Sequence, residues 1–430
     1  MRLSSPLLLR ILGFAFLAFF LIYWLPFSHA LPDGLPMRFG TYRTIQASIA
    51  CVWVLVALGL NILTGYNGQI SLGHTAFVAT GGYTAAILMA DHGWPFWAVL
   101  IPAAVVSGAL GLAVGIPALR LSGPYLAMAT MALALAAPQV LKKYDGLTHG
   151  TQGISVRGDW STAPGFIGDM VTQDQWSYFV ALFLAVVMTL IAWNVIRGRV
   201  GRAFVAIRDS EVAAASMGIN VPRYKTIAFA ISAIFAGIAG AAYVQIVGYI
   251  APESFNVLRS INFLTTIVVG GLASILGSIL GAISFKMVDD ISDFLPLGEG
   301  PMAEQVPWAL YGGLLIVVVT IMPYGMAGAI RRFQMWLAFR KPSERRVALG
   351  GPALGIVAAI AVSELAGGSL GIIVGLVVAL AITYSLWLPA LVRGATRGYG
   401  RWVGALRGSR GPPGFVTSED ASDERSDAER

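Results

Sequence analysis

The chain is short of charge and of cysteine. Charged residues make up 12% of its 430 residues, about half of the roughly 25% that is typical of soluble domains. Hydrophobic residues make up 57%, and the mean hydropathy is +0.73. Because a soluble domain of this length needs more charge to cover its surface, the composition argues for a lipid bilayer as solvent. Cys51 is the one cysteine, which excludes an intrachain disulfide and a cysteine metal cluster.

Motifs for catalysis are also missing. A loop that cradles nucleotide phosphates ends in Gly-Lys-Ser or Gly-Lys-Thr, and none of the five lysines follows a glycine. Neither a His-Glu-x-x-His zinc pattern nor a Gly-x-Ser-x-Gly elbow is present. We therefore predict no enzyme activity, no cofactor and no metal site. If the chain takes part in active transport, a partner must supply the energy.

Ionisable residues are nearly absent from the apolar stretches. His74 lies early in one of them, with no acidic residue near it in sequence. A packed or turn-capping histidine is the more frequent outcome in that setting than a proton carrier. An ion-coupled secondary transporter, which normally needs intramembrane carboxylates, is therefore the second candidate class.

Ten apolar stretches have about the length that a helix needs to span the hydrocarbon core. Loop charges orient them, because Lys and Arg are retained on the cytoplasmic side. Loops 197–225 and 324–346 carry six basic residues each and are predicted to be cytoplasmic, whereas the acidic connections 142–175 and 285–305 are predicted to be outside. The N- and C-termini are then both cytoplasmic. The predicted spans are 7–27, which is interpreted as an uncleaved anchor, 45–63, 71–90, 96–116, 121–141, 176–196, 226–248, 306–323, 347–364 and 368–392.

One further apolar stretch, 261–284, is broken at Gly270-Gly271. A single crossing there would reverse the charge assignments on both sides, so this stretch is predicted to enter and leave the membrane on the same side. A second break, Gly65 to Gln69, lies in the N-terminal half. Paired glycine-interrupted segments indicate a transport pathway; the alternatives are a tight cytoplasmic turn and a small-residue helix contact.

The predicted fold is an all-α polytopic membrane protein, with about ten transmembrane helices and one re-entrant broken segment. The residues predicted to form the pathway at the two breaks are Gly65, Asn67, Gly68, Gln69, Ser71, Gly73, His74, Gly270, Gly271, Ser274, Gly277 and Gly281.

The basic loop contains a predicted short helix within residues 206–218. Its alanines and glutamate favour helix, Asp209 or Ser210 can cap the start, and Gly218 can end it. A compact helix of this kind suits docking into a groove on another protein, and it equally suits lying on lipid headgroups.

Five ordered stretches together resemble a known family, the membrane permeases of ABC importers for branched-chain amino acids, in its LivM-like branch. The resemblance covers about residues 45–335. The stretches are NILTGYNGQISLGH at 61–74, LRLSGPY at 119–125, LTHGTQGI at 147–154, AIRDSEVAAASMGINVPRYK at 206–225 and GGLASILGSILGA at 270–282.

The resemblance implies an ABC-importer permease fold, and the paired breaks are compatible with an inverted repeat within it. It also implies that the chain is a subunit that forms half of the translocation pathway. The partners it implies are a second, related permease, two cytoplasmic ATPase subunits and an extracytoplasmic binding protein. The implied substrate is a branched-chain amino acid, although related permeases carry urea or short amides. The implied ATPase-coupling residues are Arg208, Glu211, Ala213, Ala214 and Gly218, where Glu211 lies one residue further from Gly218 than in the usual pattern.

Domain boundaries follow from where the resemblance ends. Residues 1–340 are predicted to be the permease domain and 341–392 an extra membrane hairpin. Residues 393–430 are predicted to be a disordered cytoplasmic tail, basic near the membrane and acidic toward its end.

Overall fold

The structure is a computed structural model that describes residues 41–121, 123–156 and 172–294, together with positions 312–313, 315–316, 320 and 325–328. The spans predicted at 7–27, 347–364 and 368–392 and the tail at 393–430 lie outside these residues, as does most of 306–323. The main described ranges contain eleven helices: α1 Thr41–Leu60, α2 His74–Ala90, α3 Phe96–Ala118, α4 Pro124–Lys143, α5 Asp145–Thr148, α6 Gln173–Arg197, α7 Arg199–Asp209, α8 Glu211–Ser216, α9 Val221–Val247, α10 Val257–Gly270 and α11 Ile275–Phe294.

The predicted spans between residues 45 and 248 are all helical. Five helical segments within the described residues are long and apolar enough to cross a membrane: Thr44–Tyr66, Phe96–Ala118, Pro124–Lys143, Gln173–Arg197 and Val221–Val247. The chain is therefore a mostly helical, polytopic membrane protein, as the composition predicts.

Five of the six helices that match predicted spans between 45 and 248 start three to five residues away from the predicted position. Two of these shifts have a clear local reason. α4 begins at Pro124, three residues late, because Gly123 has φ +53° and proline suits the first helical position. α9 begins at Val221, five residues early, because the Asn220 side chain accepts a hydrogen bond from the backbone N–H of Arg223 at 3.1 Å. Lys225 consequently lies inside α9, not in the basic loop.

α9 forms the centre of the described bundle and packs against α1, α2 and α3. Glycines allow the close approach. A side chain at Gly81 of α2 would collide with the backbone of Gly237, and one at Gly111 of α3 would lie 2.5 Å from Cβ of Ala233. Such small-residue contacts are how membrane helices pack, since lipid gives no hydrophobic drive for their association.

α10 and α11 form an antiparallel hairpin around the second predicted break. Gly270 lies against Gly277, and Gly281 lies against the Thr266 carbonyl, so the two chains run in opposite directions. The turn is at Gly271 to Ser274, where Gly271 has φ +119°. At about 1.5 Å per residue, α10 is about 21 Å long, shorter than the roughly 30 Å hydrocarbon core. The chain thus reverses at the break that the sequence predicts.

A pair of two-residue strands joins the loops at one end of the bundle, which the prediction of a purely helical fold misses. β1, Ile154–Ser155, pairs antiparallel with β2, Tyr249–Ile250. Beside them Lys142 Nζ lies 2.7 Å from Glu253 Oε1, and this contact holds the pKa of the Glu253 carboxyl below its usual range. β2 begins two residues after the end of α9, so the strand pair lies at that end of α9.

Candidate functional site

The first predicted break follows α1 and begins earlier than the sequence indicates. Residues Asn61–Tyr66 form a π-helical turn, a widened turn that is frequent at functional sites. The backbone N–H of Asn67 donates to the Ile62 carbonyl at 3.2 Å, and the N–H of Gln69 donates to the Leu63 carbonyl at 3.1 Å. Non-helical backbone then continues to Gly73, and α2 begins at His74.

Other helices hold this non-helical segment in place. The N–H of Leu72 donates to Thr130 Oγ1 of α4 at 2.9 Å. At the start of α2, the N–H of Thr75 donates to Ser260 Oγ of α10 at 3.1 Å, and the two hydroxyls lie 2.7 Å apart. The segment between α1 and α2 is therefore fixed by helices from both halves of the described chain.

His74 is fully buried at the first position of α2. Its ring meets Phe77 edge-on, with ring centroids 5.9 Å apart, and its Nε2 faces Gly59 of α1. This is the packed role that the sequence favours. Among the described residues, no cluster of three or more His, Cys, Asp or Glu could hold a metal ion.

Neutral polar side chains are buried along the same segment. Asn67 is 2% exposed, and among the described residues neither polar atom of its carboxamide has a hydrogen-bond partner, nor does Oε1 of Gln69. An unpaired buried amide is costly, and such groups are typical of functional sites. The predicted pathway stretches 65–74 and 270–281 contain no Asp, Glu, Lys or Arg, so these residues themselves offer a ligand dipoles and no carboxylate, ammonium or guanidinium group.

The two breaks touch each other. Asn61 Nδ2 donates to the Ser274 carbonyl at 2.9 Å and to Ser278 Oγ at 2.7 Å, and its Oδ1 accepts from the N–H of Ala273 at 2.9 Å. A Cβ at Gly65 would lie 2.5 Å from the Ala273 nitrogen. The backbone of the first break therefore packs directly against the turn of the second break.

The predicted short helix in the basic loop is present as α8, following α7. Ser210 caps it, with Oγ accepting from the N–H of Ala213 at 3.2 Å, and Gly218 follows its end at φ +81°. Of the two predicted caps, Ser210 is thus the correct one. Because they carry the residues predicted to couple to an ATPase, we call α7 and α8 together the coupling helices.

Two polar contacts help to attach the coupling helices to the membrane helices. Lys225 Nζ of α9 lies 2.6 Å from Glu211 Oε1, and Lys225 is 9% exposed. Arg208 Nη1 donates to the Gly65 carbonyl at 3.2 Å, while its Nε and Nη2 donate to Asp209. Glu211 therefore has a specific partner despite its unusual spacing from Gly218.

The surface of α8 and of Met217, the residue that follows it, is exposed except at one position. Val212 is 79% exposed and Met217 84% exposed, and Ala213 is exposed as well. Ala214 is 3% exposed because it faces the rest of the chain. Of the residues predicted for ATPase coupling, Ala214 is thus not available to a partner in this arrangement.

The structure brings the two groups of predicted residues together. Gly68 lies against the Arg208 side chain, and Gly65 accepts the Arg208 hydrogen bond. All the predicted pathway residues except Gly68 are buried within the chain. Asn61, Ala273 and Ser278 were missed, although an amide inside a predicted span is a signal of function that could have identified Asn61.

The chain matches a family model described as the permease component of branched-chain amino acid transport systems, over residues 45–321. It is 32% identical over 303 residues to the high-affinity branched-chain amino acid transport system permease protein LivM of Salmonella typhimurium, covering 65% of this chain and 68% of LivM.

More distant relatives include a second permease of the same kind and one named for a sugar. The chain is 23% identical over 295 residues to the high-affinity branched-chain amino acid transport system permease protein LivH of Escherichia coli, covering 65% of this chain and 92% of LivH. It is 27% identical over 307 residues to the fructose import permease protein FruG of Bifidobacterium longum, covering 67% of this chain and 84% of FruG. The resemblance found in the sequence is confirmed, and the chain belongs to the family of branched-chain amino acid transport system permease components.

Proposed function

We propose that this chain is one of two permease subunits of an ABC importer for branched-chain amino acids. The observation that carries the proposal is the 32% identity to LivM across the matched region. The sequence supplies no nucleotide-binding loop, so separate ATPase subunits power the import. The coupling helices, which touch the first break through Arg208, are the natural place for those subunits to act.

The substrate assignment fits the neutral lining of the breaks. A zwitterionic aliphatic amino acid carries no net charge, and the predicted pathway offers amides and hydroxyls such as Asn67, Gln69 and Ser71. The relative named for fructose import indicates that the family fold alone does not fix the substrate. Urea or a short amide is the alternative substrate, and an ion-coupled carrier is the alternative mechanism.

Uptake by the assembled importer tests this function. We expect proteoliposomes that contain both permeases and the ATPase subunits, supplied with the binding protein, to take up labelled leucine only with ATP. An excess of isoleucine or valine should suppress that uptake, and urea should not. Suppression by urea alone would reject the substrate, and ATP-independent uptake that collapses with an uncoupler would reject the ABC mechanism.

Four partners accompany the proposal. The second permease is a homologous chain, as the similarity to both LivM and LivH suggests. Two ATPase subunits bind at α8, where Val212 and Met217 offer exposed apolar side chains on a cytoplasmic surface. A substrate-binding protein docks at the opposite end of the bundle, beside β1 and β2.

The proposed topology has ten crossings and a re-entrant hairpin, with both termini cytoplasmic in a prokaryotic cell membrane. Support comes from the reversal of the chain at Gly271 to Ser274 and from the short length of α10. The acidic connection after α11 is then outside and the basic segment 324–346 inside. The proposed topology includes the extra membrane hairpin predicted at 341–392 and the cytoplasmic tail predicted at 393–430.

Single-cysteine labelling checks the topology. In a Cys51→Ser background, membrane-impermeant reagents added outside should label Glu253→Cys and Asp293→Cys, whereas Glu344→Cys and Ser418→Cys should be labelled only from the cytoplasmic side. Labelling of Asp293→Cys from the cytoplasmic side alone would overturn the re-entrant hairpin. External labelling of Ser418→Cys would show that the last apolar region crosses once and not twice.

A further inference from the structure

We infer that Asn61 is a positioning residue that fastens the two broken segments into one unit, and that Arg208 attaches the coupling helices to this unit. The inference rests on the proposed function and deepens it, because it names the contacts through which ATPase movement would reach both breaks.

Asn61 is 1% exposed and directs both of its polar atoms at the second break. Its amide nitrogen donates to the Ser274 carbonyl and to Ser278 Oγ, and its oxygen accepts from the N–H of Ala273. This pattern fixes the orientation of the amide, since a flipped amide would place oxygen against the Ser274 carbonyl. No other common side chain of this size offers both donor and acceptor in that geometry.

The acceptor half of Asn61 holds a strained residue. Ala273 has φ +55°, a left-handed conformation that alanine rarely adopts. Such a conformation persists only when its surroundings over-determine it. Two contacts hold Ala273 in this conformation. Its N–H donates to Asn61, and Gly65 packs closely on its nitrogen. The turn of the second break therefore depends on the first.

The link to the coupling helices uses the same π-helical turn. Gly65 lies one turn after Asn61, and its carbonyl accepts from Arg208 Nη1 at 3.2 Å. Asp209 orients the guanidinium by accepting from Nε at 3.0 Å and from Nη2 at 2.9 Å. Gly68 also lies against the aliphatic part of Arg208, where an added Cβ would be 3.0 Å from Cγ.

These contacts lead from α7 to the turn of the second break through Arg208, Gly65, Asn61 and Ala273. Lys225 holds α8 against α9, Arg208 reaches Gly65, and Asn61 reaches Ala273. A displacement of the coupling helices would therefore move both breaks together. If Asn61 were only a stability residue, its loss would reduce hydrolysis and uptake in parallel.

Asn61→Leu, which keeps the shape and removes all three hydrogen bonds, separates these possibilities. In the assembled importer we expect uptake per ATP hydrolysed to fall by about tenfold, within the range of allosteric couplings, while basal ATP hydrolysis remains close to that of the parent. Arg208→Gln should also lower the uptake per ATP hydrolysed, and it is a second test because Arg208 is at the surface. A parallel loss of both rates, or no change in either, would overturn the inference.

Rescue and a matched control sharpen the test. Adding Ala273→Gly to Asn61→Leu should restore part of the coupling, because glycine adopts positive φ without strain. Ser48→Ala is the control: Ser48 is also fully buried on α1, but its hydroxyl donates only to the Thr44 carbonyl of its own helix. It should leave the uptake per ATP unchanged. An equal loss in Ser48→Ala would assign the effect to α1 packing.

A measurement independent of transport distinguishes failure of this inference from failure of the proposed function. Spin labels at Ile70→Cys and Leu272→Cys, in a Cys51→Ser background, report the distance between the two broken segments at exposed positions. We expect one narrow distance distribution in the parent and a broad one with Asn61→Leu. Identical distributions would overturn the link, whereas a broadened distribution without ATP-dependent uptake in the parent would contradict only the proposed function.

Discussion

Valine in place of Gly81 should lower the amount of folded permease in the membrane several-fold. A Cβ at this position would fall within 3.0 Å of the Cα and carbonyl atoms of Gly237, and backbone atoms cannot rotate aside as a side chain can. The substitution would therefore push α2 away from α9, the central helix. Overpacking of a tight contact costs about 1 to 3 kcal/mol and sometimes more, a large part of the roughly 5 to 15 kcal/mol that stabilises a typical protein.

Size-exclusion chromatography of detergent-extracted protein, followed by thermal unfolding, measures this effect. We expect a loss of the monodisperse peak for Gly81→Val and a smaller loss for Gly81→Ala. Gly146→Ala is the matched control, because no described atom outside the adjoining backbone lies within 4 Å of the added Cβ there. A normal peak and an unchanged melting temperature in Gly81→Val would show that the α2 and α9 backbones are not in contact.

The helices of this fold could be predicted because hydropathy reports directly on burial in lipid. Apolar runs predicted every described span between residues 45 and 248, and glycine doublets or near-doublets predicted both breaks. The contact between the breaks could not be predicted. Asn61 and Ala273 are 212 positions apart, and nothing in either local sequence indicates the other.

The coupling helices show why side-chain direction was harder to predict than helix position. α8 has six residues, too few for a hydrophobic period to reveal which side is buried. The sequence therefore does not distinguish Ala214 from its neighbours, although it is the buried one. From the sequence Lys225 counts as a loop charge, because positive residues in the first two turns of a membrane helix resemble loop residues.

Aspartate at both Val212 and Met217 should abolish assembly with the ATPase subunits while the permease itself folds normally. Both side chains are almost fully exposed, so their replacement removes no internal packing. If both are buried when an ATPase subunit binds, their loss costs about 3 kcal/mol or more, which is about a hundredfold in affinity. Co-purification with tagged ATPase subunits, followed by uptake of leucine, measures the effect.

The controls use the same two positions and the one buried neighbour. Val212→Ile and Met217→Leu keep the apolar surface, so both should co-purify with the ATPase subunits and support uptake. A bulky residue at Ala214 would disturb the packing of α8 itself and therefore reports on folding, not on docking. If the double aspartate variant retained normal co-purification and uptake, α8 would be a helix that rests on lipid headgroups, and the ATPase subunits would have to bind another cytoplasmic surface.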